Sequence, residues 1–584
     1  MEIKEKQQEK VDHAMDRVNI IGAGLAGLSA AITLAQKNIV VNLISVQPSE
    51  RAQSVLAEGG INGALNTMGE NDTPSYHMED TLRAGVYLAD EEAVRGLTEE
   101  APRIIRDLEQ LGVAFNLQNE EIVLRNFGGQ KKKRTAYARS STGKIIMTAL
   151  IDEARKYEAK GLITRYPHHA LDALVLANTY GKSGENTDDR ACSGVRIRDT
   201  FTERKQVFNG PVILAFGGMN GMFPELTTGT TANTGDALAQ VFAQGVRLGN
   251  LEMIQYHPTT VKISGKRCLV TEAARGEGGR LYVLRDGQPW YFMEEKYPEF
   301  GNLMPRDVVS REIYFTRKDP SCEDQVYLDL TGLSEEIWKK RLPDLRAELI
   351  HYLGIDPRKS AIPVEPGIHY FMGGIDVDSR HRTNIANLYA AGECCDQYHG
   401  ANRLGGNSML GAIYGGRVAA RTVAEVIKTG AIAAGSNTES EEVCGKFPEQ
   451  DDTEASPQII FEIRDILMRA MGIVRNAEEL KEAQEELWHL LDRNGLRERE
   501  KKRIYLAQAI VAAALFRKES RGAHYREDYP MQDDVFSHII RVKLKTADTD
   551  GGKAEHTGTE QTDMRMGPER NLRIEITCCE EQGR

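Results

Sequence analysis

The feature that most constrains this chain is a glycine pattern near its start, Gly22-Ala-Gly-Leu-Ala-Gly27. A strand-like run at 17–21 leads into it, an apolar-periodic segment at 25–35 leaves it, and a second strand-like run follows at 39–44. Strand, glycine turn, helix and strand in that order open a βαβ unit. Gly22 permits the tight turn, Gly24 lets a pyrophosphate approach the backbone, and Gly27 allows close helix packing. The helix N-terminus favours phosphate charge. This part of the chain is expected to bind a dinucleotide. One position departs from the pattern. The second strand ends Ile44-Ser45-Val46-Gln47, with Glu50 the first acid beyond it. Ser45 or backbone groups are expected to stand in for the acid that holds the ribose.

Two further apolar runs close on glycines, at 211–218 and 387–393, and read as buried strands of the same unit. The stretch 251–365 mixes short strands, such as 325–330, with helix, such as 337–353. It is expected to form a second unit inserted into the first, leaving a ligand-sized cleft between them. From 429 to 456 the chain turns polar and acidic, as a linker does. Ser456-Pro457 reads as an N-cap followed by proline at the first helical position. Apolar stripes after it predict three helices, the last over 504–516. A polar loop, 547–567, and a final strand, 572–577, follow, and there is no internal repeat.

A length of 584 residues is too great for one core. The formal charge of −12 argues against a general nucleic-acid binder. No segment approaches the roughly 18 apolar residues needed to cross a bilayer. Residues 1–16 are charged, of mixed sign, and lack the apolar core of a signal peptide. A cytoplasmic location without a direct membrane span is expected. Cys192, Cys268, Cys322, Cys394, Cys395, Cys444, Cys578 and Cys579 form no C-x-x-C pair and no haem attachment site. They read as reduced thiols, and no metal site is expected.

Further segments share one pattern: RAQSVLAEGG from Arg51, NFGGQ from Asn126, STG from Ser141, NTGD from Asn233 and QYHPT from Gln255. TEAARGEGG from Thr271, PRD from Pro305, HYFMGG from His369, HGANRLG from His399 and RKESRGAHYREDYP from Arg517 complete it. Over residues 17–545 the chain resembles the flavoprotein subunit of succinate dehydrogenase or fumarate reductase. The resemblance implies an α/β fold: a Rossmann-like FAD-binding domain (15–250 and 366–428) and an inserted α+β capping domain (251–365). A linker (429–455), a C-terminal helical domain (456–545) and a tail (546–584) would follow. L-Aspartate oxidase is a relative of the same superfamily. NFGGQ, HYFMGG and RGAHYRED lean toward the succinate/fumarate branch.

The resemblance implies a small dicarboxylate substrate, which needs fixed donors at both ends, and the planar fork of arginine suits carboxylates. His369 and Arg403 would hold one carboxylate, with His257, Thr271 and Glu272 around the other. Hydride transfer belongs to the flavin. Arg306 matches the proton donor, with Glu272 and Arg275 as its relay; an electrostatic role for Arg306 stays open. Gly59, Gly60, Asp236, Glu393 and Ser408 match flavin or ribose contacts, beside Gly22, Gly24, Gly27 and Ser45. Asp236 and Glu393 also read as helix caps.

Membrane-complex members attach FAD through a histidine where this chain has Gln53. FAD is therefore expected to be non-covalent and of lower potential, which favours fumarate reduction. With no haem or iron–sulfur motif in the sequence, the resemblance implies a separate iron–sulfur protein subunit, and through it a place at the inner face of the membrane. An aspartate oxidase, a reductase of another α,β-unsaturated acid, and a flavin electron carrier remain as alternatives.

Overall fold

The structure is a computed structural model that describes residues 17–139, 141–178, 190–263, 265–430, 456–546, 560–565 and 572–578. Its central element is a parallel sheet of five strands. Their order is Leu388–Ala390, Val212–Leu214, Arg17–Ile21, Val40–Ser45 and Ile163–Pro167. Ile20 lies opposite Ile213 and Leu43, and Ile213 opposite Tyr389. Strands Arg17–Ile21, Val40–Ser45 and Val212–Leu214 are near-continuous buried runs, as a sheet covered on both faces requires, whereas the edge strand Ile163–Pro167 is buried only at Ile163. Helices Leu25–Ala35, Glu91–Gln110, Thr142–Ala159 and Asn407–Thr429 supply one covering core. The chain crosses to the sheet's far side through the antiparallel strands His169–Asn178, Arg190–Asp199 and Lys205–Asn209.

Between strands Val212–Leu214 and Leu388–Ala390 of the parallel sheet the chain builds a six-stranded antiparallel sheet. Its order is Lys266–Leu269, Ile254–Ile263, Ile362–Phe371, Cys322–Asp329, Arg280–Arg285 and Gln288–Trp290. Helix Arg306–Lys318 packs on it through Val309 and Ile313, within a core shared with Leu281, Val326 and Trp338. The single helix expected over 337–353 is instead two, Glu335–Lys340 and Leu345–Leu353. Pro343 lies between them. It lacks an N–H and pushes the preceding residue out of helical dihedrals.

The three late helices are Pro457–Ala470, Ala477–Leu491 and Glu498–Phe516. Ser456 stands at the N-cap and Pro457 at the first helical position, as expected; the Ser456 side chain makes no capping bond, and its N–H donates to the Glu500 carboxylate. Strand Ile540–Thr546 then returns to the dinucleotide-binding layer. It pairs with Leu248–Gly249, which pairs with Gly374–Ile375, and on its other side with Leu572–Cys578. The loop expected over 547–567 contains a strand, Glu560–Arg565, paired with Leu572–Cys578. Helix Asn407–Thr429 takes in the first residue of the expected linker, and residues 431–455 lie outside the described residues, as do 1–16. Among the described residues no helix is long and apolar enough to cross a membrane, and no group of His, Cys, Asp or Glu is placed to hold a metal ion.

Candidate active site

Gly22 turns at φ +120°, and a Cβ there would lie 2.0 Å from the Ala215 carbonyl oxygen of the neighbouring strand. A Cβ on Gly27 would lie 1.8 Å from the Gly22 oxygen, so Gly27 is the helix-packing glycine. Gly24 differs. Its Cβ would meet only the Ser54 hydroxyl, at 3.2 Å, and Ala52, and the residue faces a cavity. That cavity, about 380 Å³, runs from the glycine turn past Ser45, Gln53, Gly59, Gly60, Asp236, Glu393 and Ser408. It ends among His257, Thr271, Glu272, Arg306, His369 and Arg403. Of the expected site residues only Gly27 and Arg275 lie off its wall: Gly27 packs inward, and Arg275 sits behind Glu272. A phosphate-approach turn joined by one cavity to a cluster of buried charges fits a dinucleotide whose reactive end meets a polar substrate.

Individual contacts refine the expectations. The Ser45 hydroxyl donates to the Gln47 carbonyl at 2.7 Å. Asp236 opens helix Asp236–Ala243, but its carboxylate is taken by Arg503 of the last long helix, with Arg499 at 3.9 Å. Burial pushes the Asp236 carboxyl up, and the Arg503 guanidinium outweighs it and holds it low. Glu393 accepts from the Phe371 N–H at 3.2 Å, and burial raises it to about 7. Ser408 lies in the first turn of Asn407–Thr429, behind Gly406 at φ +85°. Gln53 accepts from the Thr230 N–H at 2.5 Å.

At the charged end, strand Ile254–Ile263 presents Gln255 and His257, and strand Ile362–Phe371 presents His369. The two imidazole centroids are 5.2 Å apart. Arg306 is the first residue of its helix. Its Nε and Nη2 donate to Glu272 Oε2 at 3.1 and 2.5 Å, and its Nη1 donates to Gln255 Oε1 at 3.1 Å. Arg403 Nη2 donates to the same Gln255 oxygen at 3.0 Å, and its guanidinium lies 4.6 Å over the Tyr370 ring. Arg275 Nη2 donates to Glu272 Oε1 at 3.1 Å. Thr228 Oγ1 lies 2.8 Å from His369 Nδ1, and the Thr259 N–H donates to His257 Nδ1 at 3.3 Å. His257 Nδ1 lies 3.1 Å from the Thr259 carbonyl oxygen as well. His257 Nε2 and Arg403 Nε are buried without a protein partner.

Burial pushes the Glu272 carboxyl up, but Arg306 and Arg275 outweigh it and hold it at about 2. Burial, then Arg306, drives both histidines well below their ordinary value, so they are neutral. Burial and then Arg306 lower Arg403 to about 9. Three guanidiniums thus face one firmly ionised carboxylate, with Glu393 offsetting them in part.

Residues 17–409 match the family model for the FAD binding domain, and residues 461–571 match that for the fumarate reductase flavoprotein C-terminus. The succinate dehydrogenase flavoprotein subunit of Bacillus subtilis is 37% identical over 546 residues, 88% of this chain and 91% of the relative. The chain belongs to the succinate dehydrogenase/fumarate reductase flavoprotein family. It is an FAD-dependent oxidoreductase. A fumarate reductase (CoM/CoB) subunit of Methanothermobacter marburgensis is 32% identical over 90% of this chain and 97% of its own length. The L-aspartate oxidase of Streptomyces coelicolor is 33% identical over 89% of each. Among solved structures, the E. coli quinol fumarate reductase chain superposes with a TM-score of 0.78 at 28% identity, covering 96% of both chains.

Sequence reasoning left Gln255, Thr228, Tyr370 and Phe127 out of the site. Gln255 carried a signal: it stands two positions before His257, on the same face of a strand. Thr228 and Tyr370 carried none of that kind.

Proposed function

We propose that this flavoprotein reduces fumarate to succinate, taking electrons from an iron–sulfur partner. The excess positive charge at the buried end of the cavity carries this reading, because a dianion is the ligand that neutralises it. Arg403 and His369 grip one carboxylate, and His257 with Thr271 the other. FAD, held along Gly22, Gly24, Gly59, Gly60, Glu393 and Ser408, supplies or accepts the hydride. Reduction of the double bond also consumes one proton. Arg306 delivers it to the carbon beside the one that takes the hydride, and is reprotonated through Glu272. Arg275 holds Glu272 in place. Gln255 points Arg306 and Arg403 at a common centre.

Aspartate fits less well. Its ammonium group needs an acceptor, yet both Glu272 oxygens are engaged by guanidiniums. The nearby wall is the apolar Phe127. A monocarboxylate would leave one end of the clamp unmatched. Gln53 lacks the nucleophilic ring nitrogen of histidine, so the flavin is held without a covalent bond, and its lower potential favours fumarate reduction. Two relatives carry the word subunit in their names, and the dispersed cysteines offer no cluster ligands. A separate iron–sulfur protein therefore supplies the electrons, in the cytoplasm at the inner face of the membrane.

The test is anaerobic. Chemically reduced protein is offered fumarate or crotonate, and oxidised protein succinate or L-aspartate, while flavin absorbance is followed. Fumarate should reoxidise the flavin fastest. Equal rates with crotonate, or faster reduction by aspartate, would overturn the assignment. In the same preparation acid precipitation should release yellow flavin to the supernatant, and flavin fluorescence retained on the denatured chain would refute non-covalent binding.

A further inference from the structure

Gln130 closes a turn on the dinucleotide-binding side of the cavity: its N–H donates to the Phe127 carbonyl at 3.2 Å, and its Oε1 accepts from the Phe127 N–H at 3.3 Å. Its Nε2 donates to Gly405 O at 2.9 Å and to Asn62 Oδ1 at 3.0 Å, and the residue is 3% exposed. Asn62 Nδ2 donates to Gly405 O and Asn407 Oδ1, both at 2.7 Å. Gln130 thus fastens the turn to the loop that carries Arg403 and Ser408.

The tip of the turn faces the inserted sheet and its helices. The Gly129 N–H donates to the Leu303 carbonyl at 3.1 Å, three residues before Arg306. A Cβ on Gly128 would lie 2.8 Å from Glu272 Oε1 and 3.0 Å from the Met304 carbonyl. A Cβ on Gly405 would lie 2.7 Å from Glu272 Oε2. The Glu272 carboxylate is therefore wedged between two glycines whose spacing Gln130 fixes. Nothing in the proton-transfer reading above uses Gln130.

We infer that Gln130 is a positioning residue: by fastening the Phe127–Gly129 turn to Gly405 and Asn62, it makes the platform on which the Leu303–Met304 segment docks, and so sets the Arg306–Glu272 pair for proton delivery. This rests on the reading of that pair as the proton donor and its relay. Gln130 does not line the cavity, and it acts through the turn.

The probe is Gln130→Met in the full-length, flavin-loaded protein. Methionine keeps the length and removes the amide. Gly405 O keeps the Asn62 Nδ2–H, and Asn62 Oδ1 keeps the Thr135 hydroxyl, so few groups lose all partners. The expected result is a fall in kcat for fumarate of about tenfold to a hundredfold, the scale of a small misplacement of catalytic groups. Flavin content and the succinate Kd, read by flavin absorbance, should change less than about threefold, a split between kcat and binding that marks a step after substrate capture. An unchanged kcat, or a loss confined to KM, overturns the inference. A second measurement does not depend on the substrate: amide hydrogen exchange at Leu303 and Met304, whose N–H groups donate to the Phe300 and Gly301 carbonyls, should speed up in Gln130→Met. Retained protection there overturns the inference. Failure of the unaltered protein to reduce fumarate would instead overturn the functional reading and leave the exchange result to decide this one.

Discussion

Two neutral or anionic side chains organise the charged end of the cavity: Gln255 accepts from Arg306 and Arg403, and Glu272 from Arg306 and Arg275. Arg403→Ala removes one arm of the proposed substrate clamp. Losing the partner of a buried charge costs about 3–5 kcal/mol. At ~1.4 kcal/mol per decade, kcat/KM should fall by a hundredfold or more. Flavin content should stay near that of the parent protein, and a variant isolated without flavin would make Arg403 a cofactor residue. The same arginine sets a pH limit. Burial and Arg306 lower Arg403 to about 9. Its cation is present below that pH and lost above it, so succinate affinity should weaken as pH rises through about 9. A Kd flat to pH 10 in flavin difference spectra would refute this. At this scale the sequence was legible where charge and motif coincide, as at His257, Glu272, Arg306, His369 and Arg403. It was not legible at Asp236, whose partner Arg503 lies 267 residues away. Nor was it at Thr228, a neutral side chain on the cavity wall that meets His369.

The glycine turn shows how elements divide the work of a motif. Gly22 and Gly27 serve the fold, because a Cβ on either would strike backbone at 2.0 and 1.8 Å. Gly24 faces the cavity and in the proposed reading serves the ligand. Its backbone is extended, at φ −84°, so alanine is conformationally allowed there, and its Cβ would enter the cavity beside Ser54. Gly24→Ala should therefore fold with a melting temperature near the parent apoprotein but bind FAD more weakly, by tenfold or more on the order of one lost close contact. Flavin titration of the apoprotein measures this, and unchanged affinity would refute it. The strands and helices around this turn were legible because burial on both faces leaves an unbroken aliphatic signal. The break at Pro343 was legible in principle and was overridden by the apolar periodicity on either side. Strand Glu560–Arg565 carries neither cue: it is polar, and only its partner Leu572–Cys578 reveals it.

At the scale of the whole molecule, the late part of the chain does more than pack helices. Strand Ile254–Ile263, which holds Gln255 and His257, is gripped at its start by three distant groups. Arg475 donates to the Glu252 carbonyl at 2.8 Å, Arg517 pairs with the Glu252 carboxylate at 2.7 Å, and the Tyr256 hydroxyl donates to the Met471 carbonyl at 3.0 Å. Arg517 also pairs with Glu519 at 2.8 Å and donates to the Phe536 carbonyl at 2.6 Å, and its side chain is fully buried. None of this long-range pairing has a local signature, which is why the late region read from sequence as three helices, a loop and a strand with no hold on the active-site strand. Arg517→Met keeps the volume roughly constant but leaves Glu252 and Glu519 buried without their shared cation. Breaking a buried pair in this way costs about 3–5 kcal/mol. The variant should melt at a lower temperature than the parent, and its fumarate turnover should fall with no change in any residue that lines the cavity. Double substitution with Glu252→Gln should recover part of the lost stability, because it removes the stranded charge, while Glu519 keeps its pairing with Arg521 at 2.8 and 3.0 Å. Thermal denaturation of the three proteins decides this: a parental melting temperature for Arg517→Met, or no recovery in the double variant, would show that the pair does not hold the active-site strand.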